Sequence, residues 1–458
     1  MLDDALIRKL GEITGPENVL TDDERRAAYS SDATLYKREP DVVVKPRSTE
    51  EAARVIALAY ENAIPVTPRG AGTGLAGGAI PTAGGMVLSA ERMKAEPVVH
   101  REDLYAEVAP GIITGDFQRI VESRGLFYPP NPASRAVCTL GGNIAECAGG
   151  LRGLKYGSTR RYVLGLELVT PEGKVLTVGA RTVKSVAGYD ICRLMVGSEG
   201  TLGFITSAKL RLLPLPQARR TLSAVFEDLH TATAAAGHLM SEGLLPSSLE
   251  VMDEVCTRAV SAHLDESHGE GAILLAEFDG MRSAVSANSD LAAKLLKKEF
   301  RVDAAATSDP SGSGKIWRGR FAALPALMKL RPTAIIEDIT VPVSKLPVMA
   351  GEIGKIAARN NVKIAVFGHA GRGNLHPVFL TDVKDTEEMA RAKTAVSAIR
   401  QVCIDLEGAV SEERGVGLDR EPFTKLEIGQ SGYEVVRSLK DALDPRGIMN
   451  PGKMFYED

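Results

Sequence analysis

The 458-residue chain lacks the cysteine spacing of a metal cluster or a disulfide framework. Its five cysteines are Cys138, Cys147, Cys192, Cys256 and Cys403, and no two of them form a C-x-x-C pair. Because an iron–sulfur cluster needs about four thiolates in a recognisable spacing, we expect the chain to hold none by itself. Most of these cysteines stand in apolar stretches, which is typical of reduced, buried thiols and of a reducing compartment.

The sequence also lacks a charge surplus and a long hydrophobic run. The formal net charge of −4 offers no basic surface for phosphate backbones, so nucleic-acid binding has no electrostatic support. No apolar run reaches the roughly 18 residues of a membrane span, and the N-terminal MLDDALIRKLGEITG lacks the basic region and apolar core of a secretion signal. We therefore expect a cytoplasmic protein with no direct membrane span, and peripheral membrane attachment through partners stays open.

Glycine is the residue that the chain has in excess. Its 45 glycines are roughly a tenth of the chain, against about 7% on average, and they cluster in a few segments. The composition, 44% hydrophobic and 25% charged, is that of a folded globular protein. At roughly 150 residues per domain, the length predicts about three domains or lobes.

The pattern changes twice along the chain. Residues 1–215 alternate strands and helices punctuated by glycine, and STEE at 48–51 predicts a capped helix start there. Beyond the LPLPQ segment the glycine density falls and alanine-rich amphipathic helices alternate with strands. We therefore predict a second, α/β domain over residues 216–410, with residues 307–315 as an exposed loop. Residues 411–458 are predicted to pack back on the first domain.

The first glycine cluster is PRGAGTGLAGG at residues 68–78. It contains a G-x-G-x-x-G match, which is a weak signal by itself. More glycine and then Pro81 replace the usual following helix, so successive backbone N–H groups would face an anion. Glycine allows a pyrophosphate to approach the backbone closely and permits positive φ angles. A plain tight turn is the alternative interpretation.

Two more clusters follow in the same region. YPPNPAS, TLGGN and AGG lie between residues 128 and 150, and KSVAGYD and GSEGTLG lie between residues 184 and 203. They space hydroxyl, amide and backbone donors along irregular chain, which can wrap a flat molecule. Three such clusters in one domain predict a single large ligand.

These segments resemble the FAD-binding domain of the vanillyl-alcohol oxidase and p-cresol methylhydroxylase superfamily. Its signature loop matches PRGAGTGLAGG, and its later blocks match PPNPAS, TLGGN, AGG, KYG and VGSEGTLGFIT. The closing NPGK at 450–453 is typical of the branch of D-2-hydroxyacid dehydrogenases, which includes FAD-binding glycolate oxidase subunits and D-lactate dehydrogenases. The resemblance covers essentially the whole chain. It implies an α+β fold, with a two-lobed p-cresol methylhydroxylase-type FAD-binding domain and an α/β substrate (cap) domain that contains an antiparallel sheet.

The resemblance also implies where FAD binds. The first loop would surround the pyrophosphate, and the later blocks would contact the flavin and its chain. Asn450 would lie at the edge of the flavin ring. FAD would be held non-covalently, because the first loop has no histidine or cysteine. The predicted FAD-binding residues are Pro68, Arg69, Gly70, Ala71, Gly72, Thr73, Gly74, Gly77, Gly78, Pro132, Ser134, Thr139, Gly141, Gly142, Asn143, Gly149, Tyr156, Glu199, Gly200, Gly203, Ile205 and Asn450.

The second domain contains two histidines, His369 and His376, seven positions apart around a glycine turn. With Glu413 downstream they form a candidate site for zinc, iron or manganese, and two hydrogen-bonded polar histidines are the alternative. In the related dehydrogenases the pattern H-x-G-D-G-N-x-H with a later G-E-H-G binds a divalent metal. The resemblance therefore assigns His369, His376 and Glu413 as metal ligands.

The sequence departs from that pattern at two positions. Arg372 replaces the usual aspartate, and Arg414 replaces the histidine taken to be the catalytic base, a role that arginine cannot perform. Either a metal lowers the hydroxyl pKa so that Glu412, Glu413 or water accepts the proton, or the oxidation is impaired. The two added positive charges also disfavour a dication unless carboxylates compensate for them.

The WRGR segment ending at Arg320 resembles the family's W-x-x-R element, whose arginine binds the substrate carboxylate. A surface arginine on a helix is the alternative interpretation. In the hydroxyglutarate branch a lysine lies just ahead of the strand that corresponds to residues 338–342, and here Ile336 takes that place. Without this cation, a monocarboxylate such as lactate or glycolate is the expected substrate.

The resemblance therefore implies an FAD-dependent enzyme that oxidises a D-2-hydroxy acid to the 2-keto acid by hydride transfer to flavin N5. Its catalytic candidates are Arg414, Arg320 and Glu413, and it would pass electrons to an iron–sulfur subunit or an electron-transferring flavoprotein. The alternative is a flavin electron-transfer subunit of a larger redox complex with lost or altered substrate chemistry. The dense loop glycines disfavour a flavin-free scaffold.

Overall fold

The computed structural model of the protein describes residues 2–418 and 420–455. The chain divides into two compact units. The first consists of the described residues of Met1–Gly149, Ser158–Leu215 and Glu413–Asp458, and the second of Gly150–Gly157 and Pro216–Glu412. No feature of the sequence indicates that the short segment Gly150–Gly157 groups with the second unit.

The chain alternates strands and helices along most of its length. The strands are β1 (Val19–Leu20), β2 (Val42–Val44), β3 (Val66–Arg69), β4 (Met86–Ser89), β5 (Val98–His100), β6 (Tyr105–Val108), β7 (Leu126–Phe127), β8 (Val163–Val169), β9 (Val175–Gly179), β10 (Phe204–Arg211), β11 (Leu213–Pro214), β12 (Ala218–Phe226), β13 (Ser248–Met252), β14 (Ala272–Gly280), β15 (Ala304–Thr307), β16 (Thr333–Ile336), β17 (Ile339–Thr340), β18 (Lys363–Gly368) and β19 (Asn374–Thr381). The helices are α1 (Asp4–Thr14), α2 (Asp23–Ala27), α3 (Thr49–Glu61), α4 (Thr114–Glu122), α5 (Leu140–Ala145), α6 (Gly153–Tyr156), α7 (Ile191–Met195), α8 (Leu229–Ser241), α9 (Glu254–Leu264), α10 (Arg282–Phe300), α11 (Pro310–Phe321), α12 (Ala323–Met328), α13 (Leu346–Asn360), α14 (Thr386–Asp405) and α15 (Glu421–Leu443). Among the described helices, none combines the length and apolarity needed to cross a bilayer.

The first sheet of the first unit has the strand order β1-β2-β4-β3, with β2 and β3 both parallel to β4. Helix α3 connects β2 to β3. It begins where the sequence predicts, because the Ser48 hydroxyl accepts a hydrogen bond from the backbone N–H of Glu51. The Glu51 carboxylate accepts from the backbone N–H of Arg47, one residue before the cap. The predicted helix start is confirmed.

The second sheet of this unit is antiparallel throughout, in the order β5-β6-β10-β8-β9. Strands β8 and β9 form a hairpin around the PEGK turn that the sequence predicts. In that turn Gly173 has a φ of 79°, which side chains of L-residues rarely adopt. Along β10 buried and half-buried residues alternate, as expected for a strand with one face on a core.

After α15 the chain returns to the first sheet. Met449 forms a parallel bridge with Val66, and the Ile448 carbonyl accepts the N–H of Val66 at 2.7 Å. Lys440, near the end of α15, donates to the Met449 carbonyl and pairs with Asp444 at 2.5 Å. These buried bonds hold the turn-rich terminal segment against the start of strand β3.

The second unit contains one antiparallel sheet in the order β15-β12-β14-β13-β18-β19-β16, with β17 also paired to β19. One face packs against α8, α10, α13 and α14, and the other against α9, α11 and α12. Consecutive residues of a strand alternate between these faces, so Leu249 and Val251 lie in the first core and Met252 in the second. The predicted α+β class, with an antiparallel sheet in the second domain, is confirmed.

The prediction that residues 307–315 form a loop is wrong, whereas the predicted exposure holds for several of them, such as Asp309 and Lys315. Strand β15 continues to Thr307, and α11 begins at Pro310 after the cap residue Asp309. The Asp309 carboxylate accepts the N–H of Gly312 at 2.7 Å, and a proline at the first turn loses no helical hydrogen bond. Trp317 then donates its indole N–H to Thr221 of β12. The cap and this sheet contact outweigh the low helix propensity of the Ser and Gly residues.

Asp309→Ala should lower the free energy of unfolding of the second unit by about 1 kcal/mol, because the Gly312 N–H loses its side-chain acceptor. Urea denaturation followed by circular dichroism measures this loss. Asp303→Ala is the control, because Asp303 is exposed and pairs with the exposed Lys297. Its effect should stay within about 0.5 kcal/mol. Equal midpoints for the two variants would contradict the role of the cap.

Candidate active site

The first glycine cluster packs directly on the second. A Cβ on Gly70 would lie 2.3 Å from the Thr139 hydroxyl oxygen, so the loop can approach that segment only with glycine. Gly72 and Gly77 have φ angles of 66° and 86°. A side chain at Gly74, in contrast, would meet no heavy atom within 4 Å. The loop therefore keeps open space beside its backbone, as a bound pyrophosphate requires.

The TLGGN segment forms the short helix α5. The Thr139 hydroxyl accepts the N–H of Gly142 at 3.3 Å, and the Asn143 amide donates to the Thr114 hydroxyl at 2.6 Å. A Cβ on Gly141 would lie 2.6 Å from the Pro110 side chain. Several predicted cofactor residues of this segment thus hold the cluster itself together.

Asn450 joins three distant parts of the first unit. Its amide donates to the carbonyl of Gly78 at 2.9 Å and to that of Glu199 at 2.6 Å. The side-chain oxygen of Asn450 is buried and accepts no hydrogen bond from the described residues. A buried acceptor without a donor is costly. The FAD implied by the resemblance fits here, because its ring or chain can supply a donor.

The first glycine loop, the TLGGN segment and Asn450 together are called the cradle below. Charged side chains lie close to it. The Glu199 carboxylate accepts the backbone N–H groups of Val416 and Gly417 at 2.6 and 2.9 Å. Burial and the charge of Glu199 raise the pKa of Glu146. Burial lowers the pKa of Lys453, which donates to the Ile80 carbonyl, to about 8. Sequence analysis missed Glu146 and Lys453 as site residues, although IAECAGG and NPGK contain them.

The remaining predicted cofactor residues are spread more widely. Gly200 lies against Pro68, since a Cβ there would be 3.0 Å from the Pro68 ring, and Gly203 lies against the Val169 carbonyl. Pro132 and Ser134 belong to a turn in which both carbonyls accept backbone hydrogen bonds. Gly149 is buried in the first unit, and Ile205 lies on β10.

Tyr156 belongs to the second unit, whereas the other cofactor candidates belong to the first. Its hydroxyl donates to Asp279 at 2.8 Å, and Lys155 pairs with the same carboxylate at 2.5 Å. The Tyr156 hydroxyl therefore already has an acceptor within its own unit.

Sheet register brings the two histidines together in the second unit. His369 follows strand β18, and His376 lies on β19 opposite Phe367. The two imidazole rings are perpendicular, with centroids 5.3 Å apart. Glu413 follows directly after Glu412, the last residue of this unit, and the ligand atoms of His369, His376 and Glu413 lie within 4.8 Å of one another. Two nitrogens and one carboxylate oxygen at this spacing suit zinc, iron or manganese.

In both imidazole rings the Nδ1 atom lies close to an oxygen atom that orients the ring. His369 Nδ1 lies 2.7 and 2.8 Å from the two oxygens of Glu250, and His376 Nδ1 lies 3.3 Å from the backbone oxygen of Glu337. Because these oxygens accept hydrogen bonds, Nδ1 carries the proton in each ring. Nε2 is then the nitrogen with the lone pair that a metal needs.

The added charge at Arg372 has a counter-charge. Its Nε lies 2.9 Å from the Glu412 carboxylate. The backbone N–H of Glu412 in turn donates to the buried Asp338 at 3.0 Å. The ion pair supplies the carboxylate compensation that a dication site beside Arg372 requires.

Arg320 is buried, so the interpretation as a surface arginine is wrong. Its Nε and Nη2 lie 3.0 and 2.9 Å from Glu250, and its guanidinium lies 4.6 Å from the Phe367 ring centre. Burial raises the pKa of Glu250, but the neighbouring His369, which also hydrogen-bonds the carboxylate, and the Arg320 guanidinium outweigh burial and hold that pKa below its usual range. Sequence analysis missed Glu250, whose one signal is an acidic residue inside the otherwise uncharged strand SLEVM.

Arg414 follows Glu413 and is half-buried in the first unit. Its catalytic assignment rests on the sequence argument.

Comparisons with known proteins bear on both units. Residues 40–179 match the family described as FAD binding domain, and residues 215–454 match that described as FAD linked oxidases, C-terminal domain. The glycolate oxidase subunit GlcD of Bacillus subtilis is 41% identical over 453 residues, which cover 98% of this chain and 96% of that protein. The probable mitochondrial D-lactate dehydrogenase of Danio rerio is 31% identical over 456 residues, which cover 98% and 91%.

Solved structures share the fold at lower identity. p-Cresol methylhydroxylase with substrate bound has a TM-score of 0.83 at 17% identity, covering 98% of this chain and 96% of that chain. An alkyldihydroxyacetonephosphate synthase has a TM-score of 0.78 at 22% identity, covering 98% and 86%. The predicted p-cresol methylhydroxylase-type fold is confirmed.

Gly74→Val should weaken FAD binding by at least about tenfold, because the side chain enters the open space beside the loop. The ratio of flavin to protein absorbance after dialysis measures this change. Gly351→Val is the matched control, since that glycine in α13 also has no heavy atom within 4 Å of its Cβ position. It should retain full flavin. Full retention in Gly74→Val would show that the pyrophosphate does not pass this residue.

Proposed function

Because the chain belongs to the FAD-linked oxidases, we propose that it oxidises a D-2-hydroxy acid of the lactate or glycolate type to the 2-keto acid. The names of its relatives, glycolate oxidase subunit and D-lactate dehydrogenase, support this substrate class. The observation that carries the proposal is the convergence of His369, His376 and Glu413 with both rings oriented for a ligand. A cation bound at such a site could bind the substrate hydroxyl, which must lose its proton during the oxidation.

His369, His376 and Glu413 would hold a divalent cation, either zinc, iron or manganese. A cation there supplies Lewis acidity, which lowers the pKa of a bound hydroxyl group. The Arg372–Glu412 pair supports this assignment, because it adds no net positive charge beside the cation.

Arg320 would bind the substrate carboxylate. Glu250 contacts its Nε and Nη2, and the described structure shows no further hydrogen-bond partner for its other N–H groups. A guanidinium held over the Phe367 ring, 4.6 Å from its centre, and bonded to Glu250 has its remaining donors in a defined position. Ile336, which packs into the apolar core on this face of the sheet, gives a second carboxylate no partner. A monocarboxylate is therefore the proposed substrate.

The proton of the hydroxyl needs an acceptor other than Arg414. Glu412 is a poor one, because its carboxylate pairs with Arg372 at 2.9 Å. Glu413 or a water molecule is left as the acceptor. Arg414 would then stabilise the anionic substrate or the alkoxide.

Bound FAD supplies the two-electron acceptor for the hydride from the α-carbon. The electrons must then leave the protein, and the five cysteines are separate thiols that cannot form a cluster. We propose a partner protein, either an iron–sulfur subunit or an electron-transferring flavoprotein, as the acceptor. Peripheral association with a membrane would follow from that partner.

D-Lactate or glycolate should reduce the bound flavin under anaerobic conditions at least about tenfold faster than L-lactate or D-2-hydroxyglutarate. The uncharged Ile336 offers no partner to the second carboxylate of D-2-hydroxyglutarate, and L-lactate bound to Arg320 would have its α-hydrogen and hydroxyl in exchanged positions. Stopped-flow absorbance of the flavin measures the rate. Should no hydroxy acid reduce a flavin that dithionite reduces fully, the electron-transfer subunit becomes the better assignment.

Arg414→Ala should slow flavin reduction by at least about tenfold, equivalent to about 1.4 kcal/mol of transition-state stabilisation. The reason is that a developing anion loses a positive neighbour. Arg318→Ala, which removes an exposed arginine paired with Glu266, serves as the control and should leave the rate unchanged. An Arg414→Ala variant as fast as wild type would remove Arg414 from the reaction.

A further inference from the structure

A glutamate lies in the interior of the second unit, where no solvent reaches it. Glu250 is the central residue of β13, all five residues of which are buried, and its exposed fraction is 0%. A carboxylate in such a place is costly unless charged or hydrogen-bonding partners surround it. The partners of Glu250 are therefore essential to its presence there.

The first partner is set by strand register. Val251 pairs with Gly368 in the antiparallel β13–β18 ladder, so the same register places Glu250 opposite His369. Directly opposed residues point to the same face of a sheet. Both Glu250 oxygens consequently reach His369 Nδ1, at 2.7 and 2.8 Å.

The second partner comes from a helix. Arg320, near the end of α11, places Nε and Nη2 at 3.0 and 2.9 Å from the Oε2 atom of Glu250. Its guanidinium lies over Phe367, which stands two residues before His369 on the same face. One carboxylate thus contacts both the histidine and the arginine.

The other histidine is held differently. The His376 ring donates from Nδ1 to a main-chain oxygen, that of Glu337, at 3.3 Å. The Glu337 carboxylate itself binds Arg400, with contacts of 2.9 and 3.0 Å. His376 Nδ1 also lies 3.7 Å from the buried Asp338 carboxylate, which is beyond hydrogen-bond distance. Of these two rings, His369 is therefore the one shown in direct hydrogen-bond contact with a side-chain carboxylate.

We propose that Glu250 is a positioning residue that fixes both the metal ligand His369 and the carboxylate-binding Arg320. This inference rests on the proposed function and deepens it. Glu250 keeps the proton of His369 on Nδ1, so that Nε2 is directed to the cation, and it holds the plane of the Arg320 guanidinium. A single buried carboxylate would thereby set the distance between the arginine that binds the substrate carboxylate and one ligand of the cation that binds the substrate hydroxyl.

Metal affinity tests the histidine half of the proposal. FAD-loaded protein stripped with a chelator is titrated with Zn²⁺ in competition with a chromophoric chelator. Glu250→Gln should weaken Zn²⁺ binding by about 10- to 100-fold, the usual effect of losing a carboxylate behind a metal-bound histidine. Glu337→Gln is the matched control, because it removes another buried, arginine-paired carboxylate but keeps the backbone oxygen behind His376. It should change Zn²⁺ affinity by less than about threefold.

Three results would overturn this half. Glu250→Gln could bind Zn²⁺ as tightly as wild type, or both variants could lose affinity equally, which would indicate a general effect of an uncompensated buried arginine. If wild type binds no Zn²⁺ although a hydroxy acid reduces its flavin, the metal assignment fails and this proposal with it, while the oxidation stands. Flavin content and the urea midpoint monitor folding. If Glu250→Gln does not fold, the double variant Glu250→Gln with Arg320→Met removes both charges and should show the same loss of Zn²⁺ affinity.

Substrate affinity tests the arginine half. At saturating Zn²⁺, Glu250→Gln should raise the D-lactate concentration for half-maximal flavin reduction by at least about tenfold, because Arg320 is no longer held in plane. Glu337→Gln should leave that concentration within about twofold of wild type. An unchanged concentration in Glu250→Gln would show that Arg320 does not need Glu250 for its position.

Discussion

Close backbone approach at glycine is the constraint on which the first unit depends. Gly70 can lie against Thr139 only because it has no side chain, and Gly200 lies against Pro68 in the same way. These contacts bring together segments more than 60 residues apart. The Asn450 amide then bonds the carbonyls of Gly78 and Glu199, which adds the C-terminal segment to the group. The cradle is therefore a property of packed main chain, and few of its predicted residues use their side chains to form it.

In the second unit, the arrangement of the candidate site depends on the register of an antiparallel sheet. Pairing of β13 with β18 places Glu250 beside His369, and pairing of β18 with β19 places His376 beside Phe367. A shift of one residue would turn these side chains to the opposite face, where Leu249 and Val251 pack. The large apolar cores on both faces thus fix the chemistry of the site as well as the stability of the sheet.

Charge compensation explains how arginines could stand beside the proposed cation site. Arg372 pairs with Glu412 and Arg320 pairs with Glu250, so each positive charge has a carboxylate within 3 Å. The departure from the family pattern at Arg372 is thereby neutralised locally. The same pairing is why we propose Glu413 or water, and not Glu412, as the proton acceptor.

The sequence by itself determined the elements whose signals are local. The cap at Ser48, the turn before β9, the glycine clusters and the pair of histidines are all read from a few adjacent residues. It failed at residues 307–315, where a cap and a contact with Thr221 outweigh Ser and Gly composition. It also missed Glu250, because an acidic residue in a short strand acquires meaning only from what lies opposite it. Tertiary structure alone decided that Glu250, Arg320 and His369 meet. They come from a strand, a helix and the residue after another strand, up to 119 positions apart. Sequence specifies residue types and local hydrogen bonds, whereas register and burial decide which distant side chains share a face.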